Sequence, residues 1–190
     1  MFQYIPKKSN EIYSKIIAHR GLHCIFPENT IPAYIEAINR KYAIELDVRI
    51  TKDKELICIH DRYAKRLLGK KGKISNYNYN DIKDLKILNS MEKVPKLIDV
   101  LKIVNGNVPL LIEIKGLFTN EYKSKLLSVL SNYNGKVYFH AKNIITFVKL
   151  KNIYDDKVFW ILNPLRKRFN FIKSKSYKQI ISNEKFIQNK

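Results

Sequence analysis

Four stretches of this sequence place ionisable groups where apolar runs would otherwise continue. Two runs end in histidine, A-H-R-G at His19 and I-H-D at His60, and two are interrupted by carboxylates, A-I-E-L-D-V by Glu45 and Asp47 and P-L-L-I-E-I-K by Glu113. On an extended strand, residues two apart share a face, so Glu45 and Asp47 point the same way, as do Glu113 and Lys115. Two carboxylates buried side by side repel and lose hydration, which costs several kcal/mol unless a cation or hydrogen bonds compensate. Three strand-borne carboxylates form an oxygen-rich site suited to a hard divalent cation, Mg²⁺ or Ca²⁺. Histidine titrates near neutrality, so His19 and His60 beside that cation supply a base and an acid. Arg20, next to His19, offers a planar fork for a phosphate.

These groups need elements that bring them to one place. From residue 15 onward, apolar runs of strand length (15–19, 43–48, 55–60, 109–115, 136–140 and 157–163) alternate with helical patterns. That alternation is the pattern of βα units around a parallel sheet, whose functional groups gather at the carboxyl ends of the strands. Ile31, Tyr34, Ile35 and Ile38 fall on one helical face, with Thr30 as N-cap and Pro32 in the first turn. Leu97, Val100, Leu101 and Val104 repeat the spacing, and residues 120–131 carry Tyr122, Leu126, Val129 and Leu130 on one face. Residues 61–95 break the rhythm with G-K-K-G-K and N-Y-N-Y-N, an excursion of the length that tends to be functional or disordered.

The 190 residues, 45% hydrophobic, are read as one domain covering 1–190, with no internal repeat or linker. The net charge of +19 comes mainly from lysine, 29 against 7 arginines, in a chain where Asn, Ile and Tyr are abundant too. Sequence-reading sites favour the bidentate guanidinium, so no nucleic-acid partner is expected. Cys24 and Cys58 form no zinc or redox spacing, the first residues lack an apolar signal core, and no run of ~18 apolar residues offers a membrane span. A cytoplasmic location is the expectation.

Together, H-R-G-x5-P-E-N-T (19–30), E-L-D-V-R-I-T-K-D (45–53), H-D (60–61) and L-I-E-I-K (111–115) resemble the motifs of the glycerophosphodiester phosphodiesterase family. Weaker matches follow in R-x5-G (66–72) and V-P-K-L-I-D-V-L (94–101). The resemblance implies a TIM-type (β/α) barrel and metal-dependent hydrolysis of small-molecule phosphodiesters to glycerol 3-phosphate and an alcohol. It implies metal ligation by Glu45, Asp47 and Glu113, acid/base roles for His19 and His60, and phosphate contacts by Arg20 and Lys115. Glu28 and Asn29 either orient the site or cap the following helix, Asp61 either bonds its loop or orients a histidine, and Asp53 belongs to a turn.

The second half departs from the family. Phe139-His140-Ala141 stands where a Ser-Phe pair is expected, and a structural role is favoured for His140 over a place in the pocket. F-W-I-L-N (159–163) resembles the family's seventh strand and Q-I-I-S-N (179–183) its last, which leaves only residues 141–156 before the former; the alternative takes Trp160 as strand 6 and cuts the barrel short at its end, and the internal loss is preferred. A full barrel needs ~250 residues, so the expectation is a compact barrel lacking one βα unit in its second half. An edge opened there invites a homodimer. The last 30 residues carry eight Lys and Arg against one Glu, which allows a peripheral contact with anionic membrane. Two competing readings are a barrel that binds phosphodiesters or membrane without turnover, and cleavage of lysophospholipid head groups.

Overall fold

The computed structural model describes residue 12, residues 15–160 and the strand residues 171–172. Seven strands are present among them: β1 (Ile17–His19), β2 (Ala43–Ile50), β3 (Leu56–Cys58), β4 (Leu110–Ile114), β5 (Val137–Ala141), β6 (Val158–Trp160) and β7 (Phe171–Ile172). Five α-helices lie between them: α1 (Ile31–Asn39), α2 (Lys65–Leu68), α3 (Leu97–Val104), α4 (Asn120–Leu130) and α5 (Ile144–Tyr154). The order across the sheet is β6-β5-β4-β2-β1-β7, every neighbouring pair parallel. Placing the last described strand beside the first is how a (β/α) barrel closes on itself.

β3 is a correction to the sequence reading, which counted it among the parallel strands. It runs antiparallel to β2, with Val48 opposite Cys58, and lies off the main path. The physical reason is the connection: T-K-D-K closes a hairpin, whereas a parallel crossover needs a dozen residues or more. The path therefore has six parallel strands among the described residues, against eight in a complete barrel. A shortened barrel agrees with expectation; one helix, α5, leads from β5 to β6 at its edge, as either placement of Trp160 requires. The position beside β1 is taken by Phe171–Ile172; residues 179–183, expected to be the last strand, lie outside the described residues, as does most of the basic C-terminal stretch.

Period-two alternation sorts the strand residues into two cores. Ala18, Ile44, Leu46, Ile112 and Phe139 face outward and pack with α1, α3 and α4 through Tyr34, Ala37, Leu97, Val100, Leu101, Tyr122 and Leu126. Ile17, Ala43, Leu111, Tyr138 and Phe159 face inward and join Ile12 in an apolar layer. One step further along the same strands, the inward positions are His19, Glu45, Glu113 and His140. The apolar layer thus forms the floor on which the polar residues stand.

Helix α3 buries the expected face and α4 buries Tyr122 and Leu126 of its face, but α1 buries Ala33, Tyr34 and Ala37 and leaves Ile35, expected on the buried face, exposed. Pro32 does occupy the start of α1, but Thr30 makes no side-chain cap; its hydroxyl donates to the Pro27 carbonyl at 2.7 Å instead. Helix α4 is capped by Thr119, and Tyr122 donates from its buried hydroxyl to the Val48 carbonyl at 2.7 Å, fixing α4 to β2. The excursion 61–95 is ordered, built from α2 and short 3₁₀ turns around Ile57, Ile59, Leu67, Leu68, Ile74, Ile82, Ile87 and Val94. Asp53 is the turn residue expected, accepting from Thr51 at 2.5 Å and also from the backbone N–H of Tyr79, which ties the hairpin to the excursion.

Candidate active site

The seven residues singled out by sequence gather at the carboxyl end of the strands. Parallel register sets Glu45 opposite His19 and Asp47 opposite Glu113, so strand pairing alone brings the carboxylates of β2 and β4 together. The β1 end turns sharply through Arg20 and Gly21, both with left-handed backbone (φ 58° and 71°). A Cβ at Gly21 would meet the Ala33 backbone at 2.8 Å, so only glycine lets α1 approach this closely. The turn aims the Arg20 backbone N–H at Glu45 Oε2, 2.9 Å away.

The three carboxylates are buried yet differ in their surroundings. Asp47 faces Lys115 Nζ at 3.0 Å and Arg20 Nε at 3.3 Å, and accepts from Asn29 Nδ2 at 3.0 Å. Burial alone would raise its pKa, but Lys115 and Arg20 outweigh that and hold it far below the usual carboxylate range. Glu113 also meets burial, which His140 and Lys115 overcome, so its pKa is lowered; Lys142 Nζ is 3.3 Å from its Oε1. Glu45 is the exception. Its charge faces imidazoles rather than lysines, His140 Nε2 at 3.3 Å and His19 Nε2 at 3.9 Å, and burial together with Asp47 raises its pKa.

A divalent cation would relieve that imbalance. One donor atom from each of Glu45, Glu113 and His140 lies within 4.8 Å of the others, all three residues buried. The residues present therefore fit the metal expected from the sequence: two buried carboxylates converge with an imidazole, and Glu45 has no lysine or arginine side chain paired with it among the described residues. Asp47 stands beside this group but is already paired with Lys115 and Arg20. Glu28, His60 and Asp61 form a second close trio, but Arg66 forks onto both carboxylates, which makes that trio an ion-pair network.

His140, for which the sequence favoured a structural role and left a place in the pocket open, lies among the clustered carboxylates. Register opposite Glu113 turns its ring inward, with Nε2 3.4 Å from Glu113 Oε2. The usable signal was period-two alternation through Tyr138. Asn29 is the second gain. Its amide oxygen accepts from the Asp47 backbone N–H at 3.1 Å and from the Tyr34 hydroxyl at 2.9 Å, so it orients Asp47 and does not cap α1. Arg49, which lies in the E-L-D-V-R-I-T-K-D motif but is given no role by the sequence, donates Nε and Nη2 to the His60 carbonyl at 3.0 and 2.7 Å.

His60 follows the β3 hairpin strand and is only partly buried. Its Nδ1 is 2.9 Å from Asp61 Oδ1, so Asp61 orients the ring and leaves Nε2 for chemistry. Burial lowers the His60 pKa, with Lys115 and Arg20 adding to the shift against the opposing pull of Asp47 and Asp61. A cavity of about 680 Å³ adjoins the site, lined by Lys115, Arg49, Arg62, Ile50, Leu117 and Asn143 among others. It has the size of a small-ligand pocket and a positively charged wall.

A parallel (β/α) barrel with clustered carboxylates and histidines at its carboxyl end defines a broad class, (β/α)-barrel proteins with a candidate metal site at the strand ends. The sequence profile of the glycerophosphoryl diester phosphodiesterase family matches residues 19–176, and the chain belongs to that family. Among its relatives, a glycerophosphodiester phosphodiesterase of Bacillus altitudinis is 35% identical over 109 residues, covering 54% of this chain and 44% of the relative. One from Caldanaerobacter subterraneus is 33% identical over 129 residues, covering 63% and 53%. The chain thus spans about half the length of the curated relatives it matches. The crystal structure of the Agrobacterium tumefaciens glycerophosphodiester phosphodiesterase superposes with a TM-score of 0.66 at 25% identity, covering 73% of this chain and 62% of that one. An Oleispira antarctica phosphodiesterase, solved with the product sn-glycerol-3-phosphate, shares the fold with a TM-score of 0.69 at 22% identity over 77% and 64% of the two chains.

Proposed function

We propose that this chain hydrolyses glycerophosphodiesters to glycerol 3-phosphate and an alcohol, using a divalent cation and two histidines. The observation that carries this reading is the convergence of Glu45, Glu113 and His140 beside His19, on a chain that belongs to the phosphodiesterase family. Glu45 and Glu113 would hold the cation with His140 beside them; Asp47, the third ligand implied by the sequence, stands next to that group, paired with Lys115 and Arg20. When bound, the cation polarises the phosphodiester and offsets charge that develops on its oxygens. Arg20 and Lys115 lie where a phosphate's remaining oxygens need donors, and Asp47 holds both cations in place.

The histidines divide the proton transfers. His60, held neutral by burial and oriented by Asp61, accepts the proton of the attacking hydroxyl or water through Nε2. His19, whose Nε2 faces Glu45, returns a proton to the leaving alkoxide. The cavity beside Lys115 accommodates the substrate outside the reacting phosphate.

The test is to incubate the protein with glycerophosphocholine and related diesters, with Mg²⁺, Ca²⁺ or chelator, and follow glycerol 3-phosphate. Release that needs the cation and is lost in His19→Ala supports the reading. No cation-dependent release from any diester, with His19→Ala and wild type alike, refutes it and leaves a barrel that binds without turnover.

A further inference from the structure

Arg66 lies on α2, in the excursion, and takes no direct part in the chemistry above. Its neighbours Leu67 and Leu68 are buried in the excursion's own apolar cluster, which fixes the helix and directs Arg66 to the barrel mouth. There its guanidinium spans two carboxylates. Nε and Nη2 donate to Asp61 Oδ2 and Oδ1 at 2.6 and 2.7 Å; Nη1 and Nη2 donate to Glu28 Oε2 and Oε1, both at 2.9 Å. Each carboxylate reaches a group assigned to the reaction. Asp61 Oδ1 meets His60 Nδ1 at 2.9 Å, and Glu28 Oε1 accepts from Arg20 Nη1 at 2.9 Å.

We infer that Arg66 is a positioning residue: through its double fork it holds Asp61 against His60 Nδ1, which fixes the imidazole as the Nδ1–H tautomer with Nε2 bare toward the substrate. An isolated exposed ion pair contributes little, but a planar guanidinium with four short hydrogen bonds to two carboxylates is a directional clamp. Asp61 alone has rotational freedom beside His60. Arg66 removes it by occupying both carboxylate oxygens, while the Glu28 end keeps the guanidinium plane from turning. Lysine offers a point charge without a fork and cannot hold both carboxylates in one plane. The backbone end of the same imidazole is fixed separately by Arg49 on the His60 carbonyl. The His60–Asp61–Arg66 row is an orienting chain whose last member comes from the excursion, which gives that segment a function.

The catalytic part of this inference rests on the phosphodiesterase reading, so its test includes a readout that needs no turnover. Nitrogen-15 NMR of the imidazoles reports the tautomer of His60 directly, with His60→Ala used to assign the signal. In wild type, the Nδ1–H tautomer is expected to dominate. In Arg66→Met, which keeps the aliphatic stem, the two tautomers are expected to mix, and kcat to fall ~10- to 100-fold, the range typical of partners that orient a functional imidazole. Arg66→Lys is the second variant, expected to give the same mixing to a smaller degree, and it serves if the methionine variant does not fold. An unchanged tautomer in a folded variant overturns the inference, whether or not activity falls. If wild type shows the Nδ1–H form and the variants mix while no diester is cleaved, the orienting role stands and the reaction assignment fails.

Discussion

Glu45 and Asp47 stand two residues apart on one strand and face one mouth, yet the protein treats their charges in opposite ways. Asp47 lies on the rim, where Lys115 and Arg20 neutralise it and Asn29 fixes it; its pKa is driven down. Glu45 lies one step deeper, between two imidazoles and against the apolar floor, and its pKa is driven up. The rim carries its own lysine and arginine counter-charges, and the deeper carboxylate Glu45 has two imidazoles in their place. A purely structural ion-pair network would compensate both carboxylates from within, so under the proposed reading the deeper half, where Glu45, Glu113 and His140 converge, is where a cation would sit.

Changing the groups that act on the substrate gives the largest expected effect. His19→Ala or His60→Ala should lower kcat by ~10² to 10⁴, the usual contribution of a positioned acid or base, as measured by glycerol 3-phosphate release. Next, the two carboxylates should respond differently to neutralisation. Asp47→Asn removes the carboxylate that Lys115 and Arg20 share, leaving each with one partner, Glu113 and Glu28, and should cost up to ~3–5 kcal/mol of stability in denaturant titration. Glu45→Gln removes a buried charge that the chain does not compensate, and should leave the metal-free protein within ~1 kcal/mol of wild type or more stable. Equal losses for both variants would erase the distinction between rim and depth.

Leu111→Ala tests the floor beneath them. It should destabilise the protein by ~2–5 kcal/mol through the cavity it leaves, with the divalent-cation affinity of the folded fraction nearly unchanged. The smallest expected effect is in the pH profile. His60 has a lowered pKa, so it stays neutral, and competent as a base, down to a pH below the ordinary imidazole value of ~6.5. The acid limb of kcat/KM should therefore fall below that value; a limb above it would contradict the role given to His60.

The carboxylates were legible in the sequence because charge inside an apolar strand run has few other meanings, and the period of two assigns their shared face. Strand register then did the rest, as Asp47 opposite Glu113 shows. The hairpin was misread because three apolar residues, Leu56 to Cys58, look alike in a parallel or antiparallel strand, and only the length of T-K-D-K separates the two. His140 was underweighted because one histidine at a strand end carries no partner in sequence; its partners, Glu45 and Glu113, lie 95 and 27 residues away. Arg49 and Arg66 stand inside the motifs E-L-D-V-R-I-T-K-D and R-x5-G, but their roles were not legible. Their targets, the His60 carbonyl and the pair Asp61 and Glu28, become neighbours only once the excursion folds onto the barrel mouth.

The claim that a divalent cation completes the deeper half of the site is tested most directly by calorimetric titration of Mg²⁺, Ca²⁺ and Mn²⁺ into the substrate-free protein, with Glu45→Gln and Glu113→Gln alongside. The account predicts one ion bound per chain in wild type, with a higher melting temperature, and binding weakened at least tenfold in both variants. No binding by wild type, or equal affinity in all three proteins, would contradict it.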